Sequence, residues 1–149
     1  MNIAFFLTPK RSIEYITVDV TMAEVIEKME SNTFTAYPLL DNEGRYVGVI
    51  TEGDLLWKLK DTPGLRIEDT DTVLIGDVHR YTKSKTVSID SNIDDLINLA
   101  KSQNFVPVVD DDGTFIGIIK RSDIINYCAS ALFEKKGEKN RFKSLVSNI

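Results

Sequence analysis

The spacing of apolar residues switches between two periods along the chain, and each switch predicts a change of element. Residues 13–20 predict a short strand. Met22, Val25, Ile26 and Met29 then fall at i, i+3, i+4 and i+7, one face of a helix, with Thr21 placed to cap its start. Tyr37 to Leu40 predicts a second strand, Asn42-Glu43-Gly44 a tight turn, and Tyr46 to Ile50 a third strand. A helix is expected from Glu52 to Leu59. The second half predicts a strand at 86–89, a helix at 93–103 and a strand at 105–109. A turn at Asp111-Asp112-Gly113, a strand at 115–119 and a helix at 122–136 follow, the last closed by Lys135, Lys136 and Gly137.

The two halves are one pattern written twice. Pro38-Leu39-Leu40-Asp41 returns as Pro107-Val108-Val109-Asp110, Gly44 as Gly113, Gly48 as Gly117 and Asp54 as Asp123, each 69 residues on. The helix fits better at an offset of 71, with Met22, Val25 and Ile26 on Ile93, Leu96 and Ile97. The second half therefore gains two residues before its helix, and the first gains two after it, around Thr33 to Ala36. The order strand, helix, strand, strand, helix occurs twice. We read residues 1–60 as repeat one, 61–74 as a linker, 75–137 as repeat two and 138–149 as a loose polar tail. The fold class is α+β (α/β), with two β-α-β-β-α units packed sheet to sheet about a pseudo-twofold axis. Neither half is large enough to be comfortable alone. Packing the two together leaves a cleft between them, where small ligands tend to sit.

Composition narrows the function classes. The net charge of −5 disfavours general DNA or RNA binding. A local basic pocket can still hold a small anion. No apolar run approaches the ~20 residues of a membrane helix. The first residues lack the pattern of an export signal, and Cys128 is the single cysteine, so a cytoplasmic protein is expected.

The chemistry concentrates at one strand-to-helix junction, Gly48-Val49-Ile50-Thr51-Glu52-Gly53-Asp54. A helix start offers free N–H groups and a positive dipole end to a phosphate. Thr51 adds a hydroxyl, Asp54 can accept from both hydroxyls of a ribose, and Gly48 and Gly53 let a ligand approach the backbone. The competing reading is a capping box, in which Thr51 and Asp54 only start a helix. The second junction, Gly117-Ile118-Ile119-Lys120-Arg121-Ser122-Asp123, keeps the aspartate without a capping threonine. That favours the ribose contact, although Ser122 is a substitute cap.

The Pro-x-x-Asp strand, the Asx-Gly turn and the Gly-x-x-Thr-x-x-Asp junction together resemble the cystathionine-β-synthase (CBS) domain pair, from residue 3 to about 130. The resemblance implies two ligand clefts, each taking phosphate and ribose contacts from one repeat and adenine contacts from the other. In the first cleft it assigns Thr51 and Asp54, with adenine near Val78-His79-Arg80 and Phe105-Val106-Pro107. In the second it assigns Lys120 and Asp123, with adenine near Leu7-Thr8-Pro9 and Ala36-Tyr37-Pro38. The second departs from the family pattern at Lys120, which either neutralises a phosphate or fills the site with its stem. The implied ligands are AMP, ADP, ATP, S-adenosylmethionine or cyclic di-AMP. The implied function is a regulatory nucleotide sensor, frequently a homodimer, acting on a separate protein effector. A cyclic di-AMP receptor and a ligand-free interaction module are the alternatives.

Other residues argue against catalysis. His79 is the single histidine, and no Walker A or dinucleotide loop occurs. Asp110-Asp111-Asp112-Gly113 opens like a calcium loop but lacks its closing glutamate, so no metal site is expected. Cys128, on a face with Ile124, Ile125 and Leu132, reads as a buried structural thiol. Trp57 with Leu55, Leu56 and Leu59 gives its helix more apolar surface than one face holds, a candidate dimer contact. Replacing Asp54 by alanine is expected to remove most nucleotide affinity with the fold intact.

Overall fold

In the computed structural model, residues 2–134 and 145–147 are described. The strands are β1 (Thr8–Pro9), β2 (Ile16–Thr17), β3 (Ala36–Leu40), β4 (Tyr46–Thr51), β5 (Val87–Ser88), β6 (Phe105–Val109) and β7 (Phe115–Lys120). The helices are α1 (Met22–Asn32), α2 (Glu52–Asp61), α3 (Ile93–Ala100) and α4 (Arg121–Glu134). The proposed helix stop at Lys135, Lys136 and Gly137 lies outside the described residues, as does most of the 138–149 tail.

Local chemistry accounts for the helix starts. Thr21 and Glu24 form the reciprocal capping box at α1: the Thr21 hydroxyl accepts from Glu24 N, and Glu24 accepts from Thr21 N, both at 3.2 Å. Met22, Val25 and Met29 turn into the core and Ile26 packs at its edge. Asn92 caps α3 through Asp95 N. The predicted strands at 13–20 and 86–89 shrink to two residues each, because each pairs in parallel with a neighbour over two positions only.

Two sheets result, β2-β3-β4 and β1-β7-β6-β5. The second contains a strand from the wrong end of the chain. Thr8 and Pro9 run antiparallel to Ile118 and Gly117. Gly117 adopts φ 159°, and the Thr8 carbonyl stands where a side chain would begin. Ile3 and Phe6 accordingly pack in the second repeat's core with Val87, Leu96, Val106, Val108, Ile119 and Ile124. The exchange is mutual: Ile75 and Val78, beyond the linker, pack in the first core with Met22, Val25, Tyr37, Leu39 and Ile50.

A third cluster joins the sheets. Leu40, Phe115 and Ile118 are buried there, with Tyr46, Tyr15, Ile13 and Phe105 against them. The seam carries the pseudo-twofold directly. Tyr46 N donates to Gly113 O at 3.3 Å, and Phe115 N donates to Gly44 O at 3.0 Å, the same bond made twice with the repeats exchanged. The turns match as well. One oxygen of Asp41 accepts from Glu43 N and Arg45 N, and one oxygen of Asp110 accepts from Asp112 N and Thr114 N. The Asp110 carboxylate is thus an Asx-turn acceptor.

Cys128 corrects one expectation: it is exposed. Along its stripe only Ile124 reaches the core, which leaves Ile125 and Leu132 in solvent. On α2, Leu55 is buried and Leu59 packs beside the core, whereas Leu56 and Trp57 face outward.

Candidate functional site

Each junction delivers one helix N-terminus to the gap between the repeats. At the first, Thr51 and Glu52 open onto a cavity of about 380 Å³, walled on the far side by Thr82, Ser84, Asn104 and Phe105. The Gln103 amide pins that wall, accepting from Lys85 N at 2.9 Å and donating to Lys85 O at 3.0 Å. At the second, Lys120 and Ser122 open onto another cavity of about 380 Å³, walled by Phe34, Ala36, Tyr37, Pro38, Phe105 and Ile118. Ala36, Asn104 and Phe105 border both cavities, so the two lie back to back. Their volumes fall within the ~300–1,000 Å³ of small-molecule sites.

Asp54 is held by backbone groups. It is buried, at 1% exposure, and does not reach the cavity wall. One oxygen accepts from Thr51 N at 2.8 Å, and Thr51 in turn accepts from Asp54 N, so the capping box forms in full. The other oxygen accepts from Tyr81 N at 2.9 Å. Asp54 thus fastens the chain beyond the linker to the start of α2. Asp123 differs: it is half-buried and makes no hydrogen bond or ion pair among the described residues. Together with Thr8, Phe5, Tyr127 and Asn126 it lines a separate cavity of about 390 Å³. Ser122 forms no cap.

The remaining assigned residues divide. Ala36, Tyr37, Pro38 and Lys120 are brought together at the second cavity. Tyr37 is nonetheless a core residue, 1% exposed, its hydroxyl donating to Lys28 O at 3.2 Å. Val106 and Pro107 are buried and do not reach either wall. His79 is exposed, its ring edge-on to Tyr81 at 4.4 Å. Arg80 lies across Gly48, where a Cβ would stand 3.0 Å from its Nε. Thr8 stays with Asp123, away from Lys120. Phe34 was not foreseen. Its one signal is position: it lies in the Thr33 to Ala36 stretch where the repeat offset changes from 71 to 69.

These junctions and paired clefts are those of a known family. The model of the CBS domain matches residues 6–61 and again 75–130. The chain belongs to the CBS-domain family. This CBS pair is 23% identical over 159 residues to the chloroplastic CBS domain-containing protein CBSX1 of Arabidopsis thaliana, covering 91% of this chain and 66% of the relative. Among solved structures, CbpB in complex with c-di-AMP superposes with TM-score 0.83 at 22% identity, over 93% of this chain and 91% of that one. CBSX2 in complex with AMP superposes with TM-score 0.67 at 24% identity, over 87% and 97%. Among the described residues of this CBS pair, no helix is long and apolar enough to cross a membrane and no group of acidic, His or Cys side chains converges as a metal site.

Proposed function

We propose that this CBS pair is a regulatory module that binds an adenine nucleotide between its repeats and reports it to a separate protein. The observation that carries this reading is the pair of back-to-back cavities, each opening on a helix N-terminus of one repeat and lined by residues of both. CbpB with c-di-AMP and CBSX2 with AMP, both alike in fold, support the ligand class. A nucleotide touching both repeats favours one relative arrangement of them, and an effector distinguishes the arrangements. The shared border of the cavities also suits a dinucleotide such as c-di-AMP, one base on each side.

A second reading is a dimerisation scaffold with empty clefts. The exposed apolar residues of α2 (Leu56, Trp57) and of the α3–α4 groove (Ile97, Ile125, Leu132) favour self-association through the helices. Sedimentation measures it, and the two readings are compatible in one protein. They part at titration calorimetry of AMP, ATP, S-adenosylmethionine and c-di-AMP. Micromolar or tighter binding of one of them establishes the sensor. A folded protein that gives no heat with any of the four leaves the scaffold.

A further inference from the structure

The two clefts are built from the same repeat, yet their walls differ in charge and in kind. In the first, the single charged wall residue is Glu52, exposed at the start of α2 beside Thr51. A phosphate brought to that helix N-terminus meets a carboxylate. In the second, the charged wall residues are Lys120 and Glu14. Glu14 is already engaged, 2.7 Å from the Lys28 ammonium. Lys120 is exposed and makes no ion pair among the described residues, so its charge is available to a ligand.

The rest of the second wall is apolar and aromatic. Phe34 stands at its rim, 51% exposed, so about half of a large apolar residue is open to solvent. Thr33 before it holds a left-handed backbone (φ 58°), unusual for a β-branched residue, and its N–H closes the end of α1 on Met29 O. The Tyr37 ring meets Phe34 edge-on at 5.8 Å and is itself anchored by the Lys28 carbonyl. Phe105, Pro38 and Ile118 complete the wall. At the corresponding position of the first cleft stands Gln103, whose amide is consumed in holding Lys85.

We infer that the second cleft is the tighter nucleotide site, with Phe34 the stacking platform that selects a planar base and Lys120 the counter-charge for its phosphate. The inference rests on the nucleotide-binding reading above and reverses the order that the junction motifs alone imply. An exposed ring beside an apolar wall gains most by covering itself with a base, and stacking on aromatic side chains is a general mode of base binding.

Calorimetric titration of AMP and ATP into the wild type and three variants tests it, each variant first shown to keep the wild-type circular dichroism. Phe34→Ala weakens the tighter binding event roughly tenfold for both nucleotides. Lys120→Thr weakens ATP more than AMP and flattens the salt dependence of both. Thr35→Trp, which plugs the first cavity from an exposed position, leaves the tighter event in place. If Phe34→Ala and Lys120→Thr bind as the wild type does while Thr35→Trp removes the tighter event, the order of the clefts is overturned and nucleotide binding stands. A wild type that binds neither AMP nor ATP overturns this inference, and absence of heat with S-adenosylmethionine and c-di-AMP as well overturns the nucleotide reading.

Discussion

At the scale of single residues, the same aspartate has two fates. Asp54 and Asp123 occupy matching positions, but Asp54 is closed into a capping box and a bond to Tyr81 N, while Asp123 is left unbonded at a cavity. The difference follows from the residue three places before. Thr51 accepts from Asp54 N and completes the box; Lys120 has no acceptor to offer. Asp54→Ala therefore leaves two part-buried N–H groups, those of Thr51 and Tyr81, without their acceptor and destabilises the protein by about 1–2 kcal/mol. Urea unfolding measures it, and a midpoint equal to the wild type's would show that neither bond matters. Any loss of nucleotide affinity in that variant then includes damage to the fold, so Lys120 and Phe34 are the cleaner probes. The capping box was legible because it is local, four residues long. The bond to Tyr81 was not, because 27 residues separate the partners.

Elements were legible in proportion to their length. The α1 face and the β3–turn–β4 hairpin could be read from periodicity and from the Asx-Gly turn. The two-residue strands β2 and β5 lie inside the predicted 13–20 and 86–89, but their extent could not be read, because two positions carry no period. β1 was invisible for a further reason. Its Pro9 has no N–H to donate, and its partner β7 lies in the other repeat. Removing residues 1–9 takes away β1 and the buried Ile3 and Phe6, a loss of about 3–6 kcal/mol at ~1.5–3 per side chain. That is a large part of the ~5–15 kcal/mol of a whole domain. The damage falls on the second repeat, although the deletion is in the first. Hydrogen exchange should show β6, β7 and α4 losing protection while β3 and β4 keep theirs. Loss confined to the first repeat would contradict the crossed packing.

For the whole molecule, the seam between the sheets governs whether the clefts exist. Tyr46 sits in it, its ring stacked on Phe115 at 6.4 Å and its hydroxyl donating to Ser84 O at 3.3 Å. Burial pushes the Tyr46 hydroxyl above the usual tyrosine value, against smaller opposing effects of the Ser84 bond and of Arg80. The neutral ring is thus the form the folded state holds. Its contribution is complete below the ordinary tyrosine value near 10 and is lost as pH rises through the higher folded value. Stability should fall in that alkaline range, and Tyr46→Phe should flatten the fall; an unchanged profile in the variant would place its origin elsewhere. The seam was half legible, since repetition predicted a pseudo-twofold but could not say which loops touch. The crossed packing of Ile3, Phe6 and β1 sets an order of events on the ribosome. Ile3, Phe6 and β1 are made well before β7, their partner, which ends at Lys120. At ~5–20 residues per second, the intervening 110 or so residues take roughly 5–20 s to emerge. For that interval Ile3 and Phe6 lack the core that later buries them, an apolar segment that a chaperone can hold.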